Sequence, residues 1–253
     1  MAQLYAGTSG WAYPTWKPDF YPQKLAQAKF LGHYATQLNA VEVNFTFRQL
    51  LKETTAKKWI AGTPDHFRFT AKAHQVITHI RRLKQTEDFL SRFFSALETI
   101  ANAGKLGPLL FQLPPNMKAD PALLEEFLTT LPRGVPSAFE FRHVSWFSDE
   151  IFELLKKYNR ALCVAETEDR VTPDVITADF CYYRYRKPTY SDAERNAMVQ
   201  RLREHIHAGR NVFAYFKHED TPQGALYAVD LLKQFTGLEA APRPALGATS
   251  DNG

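Results

Sequence analysis

Charged side chains alternate with apolar ones in several short segments of the chain, and their types suit acid–base chemistry on an anion. In residues 137–146, Glu140 and Arg142 alternate with Phe139 and Phe141. A similar alternation recurs at residues 41–44, 67–72 and 183–186. A carboxyl group can exchange a proton with a reacting molecule, and lysine or arginine can hold a negative charge that develops during a reaction.

The two-residue period of these segments predicts β-strands whose two faces differ. The segments between them have a helical pattern. In residues 86–103, for example, Phe89, Phe93 and Leu97 recur on one side. Strands that alternate with helices form a parallel sheet whose outer face is covered by those helices. We therefore expect the aromatic faces to contact helices and the charged faces to point into the interior of a closed sheet.

About eight strands alternate with about seven helices, which over a chain of 253 residues predicts an α/β fold, a single (β/α)8 TIM-like barrel. Residues 167–177 carry no helical pattern, so we expect the sixth helix to be reduced. An open doubly wound sheet is the alternative, although its central strands would be more continuously apolar. The barrel is expected to span residues 1–237, and residues 238–253, which show no periodicity, are expected to form a disordered tail.

The composition is that of an ordinary globular protein, with 45% hydrophobic and 23% charged residues. No apolar stretch approaches the length of a membrane span and the first residues lack a secretory signal, so we expect a cytoplasmic protein without a membrane partner. The net charge of +4 permits a phosphate-bearing partner without requiring one. Cys163 and Cys181 lie in predicted strands and are expected to be buried free thiols. The sequence does not specify an oligomeric state.

A series of short motifs runs in order from the first predicted strand to the last. They are Gly7-Thr8-Ser9-Gly10-Trp11, Phe20-Tyr21-Pro22, Val41-Glu42-Val43-Asn44, Thr46-Phe47-Arg48, Thr63-Pro64, Thr78-His79, Leu110-Phe111-Gln112-Leu113-Pro114-Pro115, Glu140-Phe141-Arg142, Ser145-Trp146 and Tyr215-Phe216. Together these motifs resemble the DUF72 (YecE-like) family, and their number and order make the resemblance specific. The resemblance implies a TIM-like barrel and implies no particular reaction.

Two loops depart from the pattern of that family. Where the family usually carries Arg-x-His-Gly after the seventh strand, this chain has Arg184-Tyr185-Arg186-Lys187. Where the family usually carries Phe-Asn-Asn after the eighth strand, this chain has Phe216-Lys217-His218. The strand residue Arg184 matches the family, but the loop positions do not, and the changes make this end of the barrel more cationic.

Ligands of TIM barrels bind where the carboxyl ends of the strands meet, a region called the mouth below. We assign candidate catalytic roles to Glu42, Lys72, Glu140 and Arg142, with Glu42 or Glu140 as the acid or base. These four residues are expected to form one cluster, in which Lys72 reaches Glu42 from the neighbouring strand. The candidate substrate-binding residues come from the other strand ends and loops: Thr8, Trp11, Asn44, His79, Gln112, Arg184 and Lys217.

The loops after the seventh and eighth strands are the predicted place of an anion. Barrels commonly hold phosphate there, beside the start of a helix. In this chain Arg184 and Lys217 would supply the positive charge, and backbone N–H groups near Gln223 would complete the site.

Three functions remain open from the sequence. The first is an enzyme acting on a small anionic substrate, phosphorylated compounds included. The second is a nucleic-acid-binding or nucleic-acid-processing barrel that stacks bases on the aromatic side chains of residues 11–16. The third is a binding protein without catalysis. A purely structural ion-pair network inside the barrel is the alternative to any of these.

No cofactor is predicted, although a metal-dependent hydrolase stays open as a variant. Its ligands would come from Glu42, Glu140, Glu166 and His74, which offer the oxygen and nitrogen atoms that metals bind. No His-x-His or Glu-x-x-His spacing supports such a site.

Overall fold

The computed structural model describes residues 1–166, 172–217 and 221–235. Eight strands form one all-parallel sheet in the order β1-β8-β7-β6-β5-β4-β3-β2. They are β1 (Leu4–Thr8), β2 (Ala40–Val43), β3 (Arg68–Lys72), β4 (Leu106–Gln112), β5 (Ser137–Glu140), β6 (Ala161–Glu166), β7 (Phe180–Tyr185) and β8 (Asn211–Phe216). The sheet curls into a nearly closed barrel, which confirms the predicted TIM-like fold and excludes the open doubly wound sheet.

Helices connect successive strands and surround the barrel. They are α1 (Phe30–Gln37), α2 (Glu53–Ala61), α3 (Glu87–Asn102), α4 (Pro121–Thr130), α5 (Asp149–Lys157), α6 (Asp192–His207) and α7 (Gln223–Lys233). Residues 172–179, the described part of the connection between β6 and β7, contain no helix, as predicted. The rest of that connection and the predicted tail at 238–253 lie outside the described residues. Within the described ranges, no helix combines the length and the apolar character needed to cross a membrane.

Side chains, rather than a backbone ladder, join β1 to β2. The side-chain amide of Asn39 accepts a hydrogen bond from Ala6 N and donates one to Leu4 O, both at 2.8 Å. The hydroxyl of Tyr34 accepts from Thr8 N at 2.8 Å and donates to Ala40 O at 3.0 Å. These bonds satisfy the edge groups of both strands and close the barrel.

The join between β1 and β2 requires glycine at position 7. A Cβ atom at Gly7 would lie 1.9 Å from the carbonyl oxygen of Ala40, which belongs to the backbone and has little room to move. We expect Gly7→Ala to lower the free energy of unfolding by about 1–3 kcal/mol, as overpacking does. Urea unfolding would measure the loss. Gly134→Ala is the matched control, because a Cβ there meets nothing within 4 Å, and it should leave the stability nearly unchanged.

The two faces of the strands differ as predicted. On the outer face, for example, Phe139 stacks on Phe111 at 5.2 Å between ring centroids, and both contact Phe127 of α4. The inner face is apolar and aromatic in the lower part of the barrel, where Tyr5 stacks on Phe213 at 4.7 Å. Towards the mouth the inner face becomes charged. The two cysteines are buried and free, as expected.

Candidate functional site

Arg184 of β7 lies at the centre of the barrel between two glutamates from other strands. Its Nη2 lies 2.5 Å from Glu42 Oε1, and its Nη1 contacts Glu140 Oε2. The side chains of all three residues are at most 3% exposed. Charges buried this deeply are tolerated in a protein interior only when they are paired and hydrogen-bonded. We call this trio the buried triad.

Uncharged groups occupy the remaining acceptor positions of the two carboxylates. Ser9 donates to Glu42 Oε1 at 2.9 Å, and the Tyr182 hydroxyl donates to Glu42 Oε2 at 2.7 Å. The side-chain amide of Gln112 donates to both oxygens of Glu140 at 2.9 Å. Every oxygen of the two carboxylates therefore accepts at least one hydrogen bond.

The pKa of both glutamates is lowered by this surrounding. Burial alone raises the pKa of Glu42, but the charges of Arg184 and Arg186 and the hydrogen bond from Tyr182 outweigh it. Burial likewise raises the pKa of Glu140, and the nearby arginines, Arg184 first, more than reverse the effect. Both residues are therefore anions at neutral pH, which suits charge balance better than the proton transfer predicted for them.

Lys72 lies one step nearer the mouth than the triad. Its Nζ donates to Gln112 Oε1 at 2.8 Å and lies 4.2 Å from the centre of the Phe47 ring. The predicted direct contact between Lys72 and Glu42 is wrong. The register of β2 and β3 pairs Glu42 with Thr70, so Lys72 lies two residues farther along its strand.

The four catalytic candidates nevertheless belong to one connected network, as expected. Lys72 reaches Glu140 through Gln112, and Arg142 contacts Glu140 directly, with its Nε 3.3 Å from Oε1. Glu140 in turn reaches Glu42 through Arg184. Arg184, predicted to bind substrate, is thus the residue that joins the network, and carboxylates occupy both ends of its guanidinium group.

The amine of Lys72 is easier to deprotonate than that of an ordinary lysine. Burial is the largest cause, and the positive charge of Arg184 adds to it. The more distant Glu42 and Glu140 act in the opposite direction and do not cancel it. Together these effects lower the pKa of Lys72 to about 8.

Positive charge exceeds negative charge at this end of the barrel. Four cations, Lys72, Arg142, Arg184 and Arg186, surround the two carboxylates of the triad. Arg142 is 32% exposed, so it faces the solvent at the mouth. The excess of two positive charges lies in a partly desolvated place, where electrostatic attraction is strong.

Two residues near this excess charge each have a buried polar atom without a hydrogen-bond partner among the described residues. Asn44 was predicted to bind substrate, whereas Arg186 was not among the predicted site residues. Arg186 directly follows the last residue of β7, two residues beyond Arg184, and is partly buried. Its Nε has no hydrogen-bond partner among the described residues. Asn44, predicted to bind substrate, follows β2 and has a buried Oδ1 that likewise lacks a partner within the described ranges. Both atoms are free to bind a ligand.

His79 contacts the same aromatic ring, that of Phe47, as Lys72 does. It belongs to the single π-helical turn Val76–Ile80 after β3, and its ring meets the Phe47 ring edge to face at 4.9 Å. Its Nδ1 is 2.9 Å from the Thr78 hydroxyl. Short π-helical segments are frequent at functional sites.

The imidazole of His79 is neutral at pH 7. Burial lowers its pKa below the ordinary value, and the positive charges of Lys72, Arg142 and Arg82 lower it further. Its contact with Phe47 and the influence of Lys72 and Arg142 place His79 near the same mouth, and its role in substrate binding stays a prediction.

Three predicted binding residues lie apart from the network. Thr8 donates to Gly10 O at 2.6 Å, and its neighbour Ser9 is the residue that reaches Glu42. Trp11 packs edge to face on Trp59 of α2, at 5.0 Å between ring centroids. Lys217 is exposed just beyond the end of β8. Ser9 directly follows β1, and the two-residue period of that strand, continued from the inward-facing Tyr5, predicts that Ser9 also faces the interior. The sequence therefore contained a signal for Ser9 as a site residue.

The four residues considered as metal ligands do not come together. His74 packs on Phe89 and accepts a hydrogen bond from Val76 N at 3.2 Å. Glu166 interacts with the hydroxyl of Tyr190, on the outer side of β6. Among the residues that the structure describes, no group of three or more histidine, cysteine, aspartate or glutamate side chains could hold a metal ion.

Comparison with curated proteins finds relatives of similar sequence. The chain is 29% identical over 164 residues to the UPF0759 protein YunF of Bacillus subtilis (strain 168), a match that covers 62% of this chain and 57% of YunF. It is 30% identical over 147 residues to the UPF0759 protein YecE of Escherichia coli (strain K12), covering 57% of this chain and 50% of YecE. The matched part of the chain thus spans only about half the length of these relatives.

Solved structures and a family model agree with those matches. A DUF72 family protein from Thermotoga maritima MSB8 has the same fold, with a TM-score of 0.82 at 24% identity over 92% of this chain and 99% of that one. A second, from Enterococcus faecalis V583, gives 0.79 at 15% identity over 94% and 97% of the two chains. The model of the family described as "Protein of unknown function DUF72" matches residues 5–247. The chain therefore belongs to the DUF72 family.

Proposed function

We propose that this barrel binds a small anion at its mouth, phosphorylated compounds included, and that Lys72 serves as the proton-transfer group. The observation that carries the proposal is the excess of cations around the buried triad. The two carboxylates of the triad balance only two of the four cations, so an excess of two positive charges remains, which an anionic ligand can neutralise.

The arginines suit this role better than the predicted pair of Arg184 and Lys217. A guanidinium group offers several N–H donors in a plane that matches carboxylate and phosphate oxygens. The guanidinium of Arg184 is occupied by two carboxylates, and Lys217 is exposed at the rim. Arg186 has a buried Nε without a partner, and Arg142 reaches the solvent. The proposed anion therefore lies between Arg142 and Arg186, above the triad.

An enzyme is favoured over a binding protein without catalysis because of Lys72. Lysines with a lowered pKa are typical of active sites, where the amine must gain and lose protons near neutral pH.

Nucleic-acid binding is less well supported. The aromatic side chains proposed for base stacking make contacts inside the protein: Trp16 is fully buried against Phe20, and Trp11 packs on Trp59. A net charge of +4 gives little attraction to a polyanion at physiological salt. Tight binding of a single-stranded oligonucleotide that resists added salt would reverse this ranking.

Calorimetric titration with inorganic phosphate tests the proposed site. Arg142→Met and Arg186→Met should each weaken phosphate binding roughly tenfold or more, the usual effect of losing a charge-assisted hydrogen bond. Lys217→Met is the matched control, since it removes the same charge at the rim and should change the affinity little. If Lys217→Met weakens binding and the two arginine variants do not, the anion lies at the loops after β7 and β8 instead.

A further inference from the structure

We propose that Lys72 is a nucleophile that forms an imine with a small aldehyde or ketone carrying a carboxylate or phosphate group. The inference rests on the proposed anion site, because Arg142 and Arg186 would hold the charged group of the substrate. It goes further by naming the reacting atom, Lys72 Nζ, and the class of substrate.

The first observation is that Lys72 faces a neutral acceptor. Two carboxylates lie in the same barrel, but both are paired with Arg184. Gln112 is held in one orientation because its amide nitrogen donates to both oxygens of Glu140, which leaves Oε1 to face Lys72 at 2.8 Å. Among the described residues, no carboxylate forms an ion pair with Lys72. A neutral acceptor positions the amine without holding it in its charged form.

The second observation is the environment of the amine. Lys72 is partly buried between the Phe47 ring and the cations of the network, and both burial and Arg184 favour loss of its proton. With a pKa of about 8, roughly a tenth of the amine is neutral at pH 7, against about one part in 2,500 for an ordinary lysine. Only the neutral amine carries the lone pair that attacks a carbonyl carbon.

The reaction balances without any further reactant. The nitrogen lone pair forms a bond to the carbonyl carbon, and the C=O π electrons move to the oxygen, which takes up a proton. The nitrogen loses one of its two protons, and the hydroxyl group takes up a second proton and leaves as water while the nitrogen lone pair forms the C=N bond of an iminium ion. Loss of the remaining N–H proton, which replaces the one taken up, gives the neutral imine. One water is released, and nothing is oxidised or reduced. These protons are exchanged with solvent, which reaches the mouth at Arg142.

Other lysines provide internal comparisons. Lys105 is buried near the opposite end of the barrel, where its Nζ donates to Ile60 O at 2.9 Å and to Thr63 O at 2.6 Å. These hydrogen bonds to backbone carbonyls give the amine of Lys105 a structural role. Lys217 is exposed beyond β8 and has no described contact with the network. Selective reaction at Lys72 would therefore reflect its particular surroundings rather than exposure.

Reductive trapping tests the inference. The full chain is incubated at pH 7 with pyruvate and sodium cyanoborohydride, and the reduced adducts are located by peptide mass mapping. Lys72 should be modified at least about tenfold faster than Lys217, because its lowered pKa leaves roughly a tenth of the Lys72 amine neutral at pH 7 and Gln112 holds it in one position. Lys72→Arg keeps the positive charge and should lose the fast adduct, while its circular dichroism spectrum shows that it remains folded.

Added inorganic phosphate separates this inference from the proposed function. Phosphate at the mouth should compete with pyruvate and slow the modification of Lys72. If phosphate binding depends on Arg142 and Arg186 but Lys72 reacts no faster than Lys217, the imine is wrong and the anion site stands. If Lys72 reacts fast, but added phosphate does not slow the reaction and phosphate binding does not depend on these arginines, the proposed anion site is wrong. The inference as stated, which needs that site, then fails with it.

Discussion

Replacing Arg184 with methionine should lower the free energy of unfolding by about 3–5 kcal/mol at pH 7, the usual cost of breaking a buried ion pair. Methionine fills much of the volume of arginine, so the loss comes mainly from charge. Glu42 and Glu140 would remain buried, with a combined charge of −2 that the weaker contacts of Arg142 and Arg186 offset only in part. Chemical denaturation of parent and variant measures the difference.

Two further variants show whether charge is the cause. A triple variant, Glu42→Gln, Glu140→Gln and Arg184→Met, removes all three charges together and should recover much of the lost stability, because an uncharged interior of similar volume tolerates burial. Arg195→Met is the surface control, since Arg195 pairs with exposed Asp192 and Asp230 and should change the stability little. A single Arg184→Met variant as stable as the parent would mean that water or protons reach the carboxylates.

This result would also divide the predicted site in two. From the sequence, the charged cluster could be either a structural network or a functional site open to water. A large loss of stability would favour a structural role for Glu42, Glu140 and Arg184, which are almost fully buried. Lys72, Arg142 and Arg186, which lie nearer the mouth, then remain as the residues of the proposed function.

The strand faces could be predicted from the sequence because a strand has a fixed period of two. That period, together with the helices expected on the outer face, placed Glu42, Glu140 and Arg184 in the interior. It also extends to Arg186 and Ser9, which we had not included. The pairing of these residues could not be predicted, because contacts across a barrel depend on the stagger of strands that are far apart in the sequence. Thus Lys72 was expected to meet Glu42, and it meets Gln112 instead.

The loops and the closure of the barrel were the least predictable. Asn39 and Tyr34 join β1 to β2 with side-chain hydrogen bonds, and no sequence pattern distinguishes such residues from ordinary helix and loop positions. The π-helical turn that carries His79 lies against Phe47, a contact between residues that are far apart in the sequence. Composition and strand periodicity contain no information on either contact.

The effect of Arg184→Met should shrink as the pH falls from 7 to about 3. In the parent, the folded-state pKa values of Glu42 and Glu140 are lowered below the ordinary value of about 4.3. A carboxylate with a lowered folded-state pKa contributes stability above its unfolded pKa, and that stability is lost as the pH falls through the folded value. Each such group therefore makes the parent lose up to about 1.4 kcal/mol per pH unit below about pH 4.

In the variant the sign reverses. Burial, which raises the pKa of both glutamates, is no longer opposed by Arg184, so we expect their folded-state pKa values to rise above the unfolded value. The folded variant then takes up protons between its raised pKa values and about pH 4.3, which stabilises it relative to the unfolded chain as the pH falls. Parent and variant should converge in acid, and urea unfolding at pH 7, 5.5, 4 and 3 would show it. A difference that stays constant over that range would contradict the assignment, because it would mean that the loss comes from packing around position 184 and that Glu42 and Glu140 do not depend on Arg184 for their charge.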